Sequence, residues 1–345
     1  MDGGSGLTDV TLSEVRDFDA LGARWRALEQ TADLSFFQSW TWTGCLPAER
    51  FPDPILAEAQ ANGETVGLAL FNRRRHFGRD RLYLGESGCS QMDRLAIEHN
   101  GPLVARERPG VGLAILRAAA ARYDVILSGM TDHAPGHILK TQPSPFARSD
   151  AAWFARRSAN TRQQIQRSDR VVAAHGPIVA ARADTAVTAH AWLDAMAAMH
   201  QATWAARGKP GSFADPFFGR FHHALIERGM PRAEIELWRV TAGTRLVGIL
   251  YNFRCRGRVS AYQSGFAYDW DDKRAKPGLS CHRQAIEAGV ADGVSVYDFL
   301  AGADRYKASL ADGTETMRWL IAGAWWSPRL LAVRARGAMM GGGEA

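Results

Sequence analysis

One order of elements occurs twice along the chain, and it limits the fold more than any other feature. PGVGLAILRAAAARYDVILSG (residues 109–129) and PGLSCHRQAIEAGVADGVSVYDFLAG (residues 277–302) share it. Each opens on Pro-Gly, continues as an amphipathic helix, passes into a buried strand and ends at Gly. Each also follows a set of hairpin-linked strands. Before the first copy, strands over 54–61 and 65–72 flank Asn62-Gly63, a hairpin dipeptide, and 81–84 and 103–105 add shorter runs. Before the second, strands over 234–240 and 245–254 meet at Ala242-Gly243, and 258–266 is a third. This pattern predicts an α+β class: two similar units in tandem, each a mixed sheet flanked by helices. The length of 345 residues accommodates about two such domains.

The intervening segments fill in the units. Val15, Phe18, Leu21, Trp25 and Leu28 recur at helical spacing, which predicts a helix over 11–30. The aromatic run 35–46 reads as a short helix packed in the core. Helices over 111–122, 151–174, 188–207, 216–228 and 277–291 and strands over 124–128, 177–183 and 295–300 follow. Residues 132–149 contain Pro135, Pro143 and Pro145 and read as a linker, which places a boundary near 147. The expected organisation is a first domain over 1–147, a second over 148–312 and a closing segment over 313–345.

Composition narrows the class of function. Cys45, Cys89, Cys255 and Cys281 stand far apart, a spacing that argues against a disulfide scaffold or zinc ribbon and for a reducing compartment. No basic start with an apolar core resembles a secretory signal, and no apolar run reaches the ~18 residues that span a bilayer. A cytoplasmic protein is expected. The net charge is +6, carried almost wholly by Arg. The only lysines are Lys140, Lys209, Lys273, Lys276 and Lys307, and three of these fall between residues 273 and 307.

That lysine-bearing region holds the chemistry. A charged loop, 269–276, precedes Pro277-Gly278-Leu279-Ser280 at a helix start. A helix N-terminus offers unpaired N–H groups and the positive end of a dipole, which together hold a phosphate. Gly278 permits close approach of a ligand, Ser280 can cap or donate, and Lys273, Arg274 and Lys276 supply cations. Beyond the helix, Tyr297 and Phe299 share one strand face and Asp298 takes the other. A buried acid needs a partner, for which Lys307 or Arg305 is at hand. Tyr306 and Lys307 stand where a phenol or ammonium can protonate a departing thiolate. A packed aromatic and a structural ion pair are the competing readings for these residues.

Asn160-Thr161-Arg162, Trp204-x-x-Arg207-Gly208, Phe213, Glu236-Leu237-Trp238, Val247-Gly248, Tyr262, Ala267-Tyr268-Asp269, Pro277-Gly278, Tyr297-Asp298-Phe299, Gly302 and Tyr306-Lys307 occur in this order. The set resembles the acetyltransferase family linked to cellulose and exopolysaccharide biosynthesis. That family lies within the GNAT superfamily and is related to the FemABX peptidoglycan aminoacyl transferases. The resemblance covers about residues 150–310. It implies tandem GNAT-like domains, the first one degenerate, and transfer of an acetyl or longer acyl group from acyl-CoA to an amine, often of a sugar or saccharide. It further implies that strand 259–266, with Tyr262, Gln263 and Ser264, holds thioester and pantetheine by its backbone. Arg274, Lys276, Pro277, Gly278, Leu279 and Ser280 would hold the pyrophosphate. Lys307 and Tyr306 would act in the chemistry with Asp298, and Asn160, Arg162, Trp204, Arg207 and Glu236 would face the acceptor. The chain departs from the superfamily in that the usual Q/R-x-x-G-x-G/A loop is reduced to residues 276–280, while Pro109-Gly110-Val111-Gly112 lies nearer to that pattern. Glu236, Asp298 and His200 are the candidate bases.

Other signals carry less. Asp132-His133 and His137 are interrupted by Pro135-Gly136 and do not form a helical metal pair. His222-His223 and Cys281-His282 read as isolated surface or packing residues, and no metal is expected. Neither H-E-x-x-H nor G-x-S-x-G occurs. Arg156, Arg157, Arg162, Arg167 and Arg170 make the helix over 151–174 basic, as a solvated face or as a groove for an anionic acceptor. The segment 317–336 combines Trp319, Leu320, Ile321, Trp325, Trp326, Leu330 and Leu331 with Arg318, Arg329, Arg334 and Arg336. It reads as packing on the first domain or as a peripheral membrane contact. Two alternatives to the acyl-CoA enzyme stay open: a FemABX-type transferase using aminoacyl-tRNA, and a non-catalytic regulator binding a cyclic dinucleotide. DNA is not an expected partner.

Overall fold

The computed structural model describes residues 8–76 and 78–323. The chain forms two compact units, one of residues up to Thr141 together with those from Thr316 on, the other Gln142–Glu315.

In the first unit the strands lie in the order Asp9–Glu14, Pro54–Ala61, Glu64–His76, Arg79–Leu84, Asp124–Met130, and the part of Gly313–Ala322 from Thr316 on. Neighbours are antiparallel except Arg79–Leu84 and Asp124–Met130, which run parallel. Helix Gly110–Arg122 makes the crossover between that parallel pair. In the second unit the order is Ile178–Arg182, Ile235–Ala242, Arg245–Cys255, Arg258–Phe266, Val296–Asp298, and the part of His137–Arg148 from Gln142 on. Again one pair is parallel, Arg258–Phe266 with Val296–Asp298, and helix Pro277–Ala291 crosses over between its members. Both copies of the repeated sequence order thus adopt one topology, mixed sheet and flanking helices included.

Local sequence explains the elements. Asn62 and Gly63 both take positive φ, 54° and 81°, as a type I′ hairpin requires. In the first unit Ile55, Ala57 and Ala59 face Val111, Ile115 and Ala119 of the crossover helix, while Leu56 packs with Leu21, Trp25 and Leu28 of helix Phe18–Glu29. Alternation along one strand therefore supplies both cores. In the second unit Val247 and Leu250 pack with Ile165 and Val172 of helix Ala159–Ala173 and with Leu279, Ala285 and Ile286 of Pro277–Ala291. Tyr251 turns the other way, to His222 of helix Pro216–Gly229.

Three expectations are corrected. Residues 11–30 are not one helix: strand Asp9–Glu14 comes first, and the helix starts at Phe18 because Asp17 Oδ1 accepts the N–H groups of Asp19 and Ala20 at 2.8 and 2.9 Å. The basic helix begins at Ala159 rather than 151, capped by Ser158 Oγ, which accepts from Thr161 N at 3.1 Å. The linker over 132–149 holds a strand, His137–Arg148. Its prolines lack an N–H, yet the carbonyls of Pro143 and Pro145 accept from Gly302 N and Phe299 N, each at 2.9 Å. Of the closing segment, Trp319–Ile321 lie in strand Gly313–Ala322, with Leu320 in the first unit's core and Lys140 Nζ 4.7 Å from the Trp319 ring centre. Trp325, Trp326, Arg329, Leu330, Leu331, Arg334 and Arg336 lie outside the described residues. Among the described residues no helix is long and apolar enough to cross a membrane.

Candidate active site

The parallel pair of the second unit is a fork. Pairing joins only Arg258, Val259 and Ser260 to Val296, Tyr297 and Asp298. Past that point, among the described residues, Arg258–Phe266 pairs with one strand, Arg245–Cys255. The other prong leaves at Asp298. Phe299 N donates to Pro145, Leu300 takes φ 60°, and Gly302 takes φ 142°. The open prong is half-exposed at Tyr262, Gln263 and Ser264. Tyr262 turns its ring away, onto Phe253 and His222, so it offers backbone rather than side chain.

His282 occupies the fork. It sits in the second turn of helix Pro277–Ala291, buried, with ring contacts to Phe266 of one prong and to Tyr297 and Phe299 of the other. Its Nδ1 lies 3.0 Å from Tyr297 Oη, and among the described residues its Nε2 has no hydrogen-bond partner. Tyr306 stacks on it, centroids 5.6 Å apart and planes within 16°. Burial and then the Lys307 ammonium push His282 down to about 3, so the imidazole is neutral at pH 7. Burial pushes Tyr297 well above the ordinary phenol value, so it keeps its proton. A protonated phenol donates to Nδ1, which leaves the hydrogen of this neutral ring on the buried Nε2. Sequence reasoning set this histidine aside. The one available signal was its place five residues beyond Pro277, one face of a helix leading into the fork.

The helix start is partly committed. Ser280 Oγ pairs with Ser168 Oγ at 2.9 Å in a fully buried contact, and Ser168 Oγ also accepts from Lys276 N at 2.8 Å. Ser280 therefore fixes one helix against another and does not reach a ligand, which corrects its expected role. Leu279 N and Ser280 N donate to Lys276 O. A Cβ at Gly278 would stand 3.2 Å from Phe266 Cε2, a tight contact to which the ring would have to yield. The Lys276 side chain is exposed, whereas Arg274 is held by Asp272 through contacts of 2.5–2.9 Å, a pair that brings Asp272 down to about 2. Beside this loop lies a cavity of about 790 Å³, lined by Arg167, Arg170, His175, Trp270, Asp272 and Arg274 among others. The arginines expected on the basic helix thus divide. Arg167 and Arg170 line this cavity, while Arg156 and Arg157 hold Asp312 and Arg162 donates to the carbonyls of Ala155 and Arg157. Arg162, expected to meet the acceptor, instead ties its own helix start.

The other expected residues fall as follows. Asp298 is fully buried, but its cation is Arg258, not Lys307 or Arg305. Arg258 Nη1 donates to Oδ2 at 2.6 Å, and Ser144 Oγ and Leu300 N donate to Oδ1 at 3.2 and 2.8 Å. Lys307 Nζ donates to the carbonyls of Leu300 and Ala301 at 3.3 and 2.8 Å, clamping the turn that ends the fork. Tyr306 is partly exposed, and burial, then Asp304, raises its phenol above the ordinary value. Glu236 accepts from Trp238 Nε1 at 3.1 Å and Arg254 Nη1 at 3.2 Å, with Arg182 at 3.6 Å. His200 Nε2 accepts from Trp204 Nε1 at 2.8 Å, and Arg207 lies over the Trp204 ring. Asn160 is exposed.

Comparisons agree with this architecture. Residues 159–308 match the family model described as acetyltransferase (GNAT) domain. No curated protein matches the sequence. The structure is similar to FemX, with a TM-score of 0.56 and 10% identity over 89% of this chain and 95% of that one. It is similar to the C-terminal domain of a putative lysylphosphatidylglycerol synthetase from Agrobacterium fabrum, with a TM-score of 0.55 and 10% identity over 92% and 95%. It also resembles L-PGS from Bacillus licheniformis, with a TM-score of 0.54 and 10% identity over 90% and 95%. At such identities these likenesses establish the fold alone, a FemX-like one, within which residues 159–308 match the model of a GNAT acetyltransferase domain.

Proposed function

We propose that the second unit is an N-acyltransferase that moves an acyl group from acyl-CoA to an amine, the acceptor being a sugar or saccharide intermediate of envelope polysaccharide synthesis. The observation that carries this reading is the fork: an open strand prong, a glycine at the adjoining helix start and a buried N–H donor between the prongs. Past Ser260 the strand is no longer paired with Val296–Asp298, so Gln263–Phe266 suit pairing with an extended pantetheine arm. The start of Pro277–Ala291, with Gly278, Lys276 and the cavity arginines Arg167 and Arg170, suits the diphosphate.

In this reading the amine attacks the thioester carbonyl and the C–N bond forms. Negative charge gathers on oxygen, where the His282 Nε2–H donates. A neutral, preorganised imidazole serves here as a donor rather than a base. The C–S bond then breaks, its electron pair leaves on sulfur, and Tyr306 is placed to return a proton. Glu236 and Asp298 are both held by arginines, so the attacking amine arrives neutral or loses its proton to water. Holding both reactants together supplies up to ~7–11 kcal/mol of the barrier without a strong base.

A second reading rests on the arginine-lined cavity and on FemX and L-PGS as neighbours in fold: the donor is aminoacyl-tRNA. Calorimetry separates the two. Acetyl-CoA is expected to bind the whole chain with a Kd that Gly278→Val weakens tenfold or more, and His282→Gln is expected to lower kcat while leaving that Kd unchanged. Binding of tRNA without acetyl-CoA selects the second reading. Binding of a cyclic dinucleotide alone removes the enzyme reading altogether.

A further inference from the structure

Helices Ala186–Ala205 and Pro216–Gly229 of the second unit carry the same short pattern, His190-x-x-x-Asp194 and His223-x-x-x-Glu227. At a spacing of four, each helix presents an imidazole and a carboxylate on one face, one turn apart. The two faces meet crosswise. His190 Nε2 lies 2.5 Å from Glu227 Oε1, His223 Nε2 lies 2.9 Å from Asp194 Oδ1, and the two Nδ1 atoms lie 2.8 Å apart. The sequence reading left His223 isolated. The fold instead gives it two partners, His190 and Asp194, neither of which is used by the fork.

The hydrogen count of this quartet is the informative point. An ionised carboxylate only accepts, so each Nε2 must carry its hydrogen toward its carboxylate. A neutral imidazole has one N–H, and both are then spent. The two Nδ1 atoms face each other as lone pairs at contact distance. Ring planes lie within 16° and centroids are 4.8 Å apart, nearly the N···N distance plus the two ring radii. The nitrogens therefore point at one another and are not laid face on face. Two acceptors so placed require a cation between them.

We propose that this cation is a divalent transition metal ion, Zn2+ or a neighbour such as Cu2+ or Ni2+, held by His190 Nδ1 and His223 Nδ1 with water completing its shell. Borderline nitrogen donors select these ions over Mg2+ or Ca2+. Asp194 and Glu227 play the part that carboxylates take behind metal-bound histidines, fixing the tautomer and raising the basicity of the ligand. Tetrahedral bonds of ~2.0–2.1 Å place the two nitrogens about 3.3 Å apart, so a small opening of the helix pair admits the ion. The site is reachable from solvent: side-chain exposures are 23% for His190 and 40% for His223. It joins one helix to the next, and Ala186–Ala205 continues to His200 and Trp204. The competing occupant is a proton shared by an imidazole–imidazolium pair.

The test uses the whole chain, stripped with a chelator and titrated with Zn2+ at pH 7.5 in competition with a chelating dye. One equivalent is expected to bind, with loss of at least a hundredfold in affinity in both His190→Ala and His223→Ala. Asp194→Asn and Glu227→Gln should each weaken it by about 10–100-fold. Thermal melting with and without Zn2+ guards against unfolded variants, since only the wild type should gain stability from the metal. Co2+ should give a nitrogen-ligated absorption spectrum that His223→Ala abolishes. Binding that the two His variants leave unchanged overturns the proposal. A downfield shared-proton NMR signal that persists at equimolar Zn2+ overturns it as well, and assigns the pair to a proton.

Discussion

Replacing Arg258 with Met tests how the fork is held open. Asp298 is fully buried at the last paired position of the short prong, and Arg258 is the first residue of the long one. Their ion pair of 2.6 Å therefore ties the prongs at the base of the fork. Met keeps the stem of the side chain but takes the guanidinium away from Asp298, which still accepts from the Ser144 hydroxyl and the Leu300 N–H. Breaking one partner of a buried pair costs about 3–5 kcal/mol, because a charge is left without compensation. Glu315, the second carboxylate on Arg258 at 3.0 Å, is 35% exposed, and its loss adds at most ~1 kcal/mol. In urea, with a slope of about 3 kcal/mol/M, the midpoint of the second unit should fall by roughly 1–2 M. Asp298→Asn in the Arg258→Met background removes the stranded charge and should recover most of the loss. A loss below ~1 kcal/mol in the single variant, or a double variant as unstable as the sum of the singles, would refute the account of a buried pair as the hinge of the fork.

Two further predictions follow from charges placed elsewhere. In the first unit, Glu86 accepts from Ser128 Oγ at 2.6 Å, and desolvation with the neighbouring Asp93 pushes it up to about 8. The folded state then holds the proton more tightly than the unfolded chain, so stability falls as pH rises from about 4.5 to 8. Glu86→Gln cannot ionise, and melting curves should show its advantage over wild type growing from pH 5 to pH 8, while an advantage that is flat or shrinks contradicts the shift. Lys307→Met removes two hydrogen bonds from a charged donor, each worth about 1.5–3 kcal/mol, and should lower the melting temperature of the second unit. Without that ammonium the His282 pKa should rise, which imidazole NMR reads directly. A variant with reduced turnover, unchanged melting and an unchanged His282 titration would instead make Lys307 a participant in the chemistry.

What could be read from the chain follows from the range of each interaction. The repeated strand, helix and strand order is a local pattern of period and punctuation, so class and topology were both legible. Strand 258–266 and helix 277–291 appear with the bounds expected of them. Starts set by one capping side chain were less so: Asp17 and Ser158 each shift a helix by several residues. The strand His137–Arg148 was hidden because Pro143 and Pro145 signal a break, and only the tertiary partners Phe299 and Gly302 show that their carbonyls suffice. Pairings across long separations were illegible. Asp298 needed a cation, as burial demands, but Arg258 stands 40 residues away, and nearer bases looked equally able.

The same limit explains why the two histidine sites were missed, and it also separates them. His282 and His223 each follow another side chain of interest in the sequence, Cys281 and His222, and neither makes a motif on its own element. Their chemistry comes from what the fold sets opposite: for His282 a phenol that fixes its tautomer, for His223 a second imidazole that fixes its need for a cation. The first arrangement is buried, neutral and complete except for one donor, which suits a developing oxyanion. The second is solvent-accessible and flanked by two carboxylates, which suits a positive ion. Burial and the sign of the missing partner distinguish them, so a ligand that occupies one should leave the titration of the other unchanged.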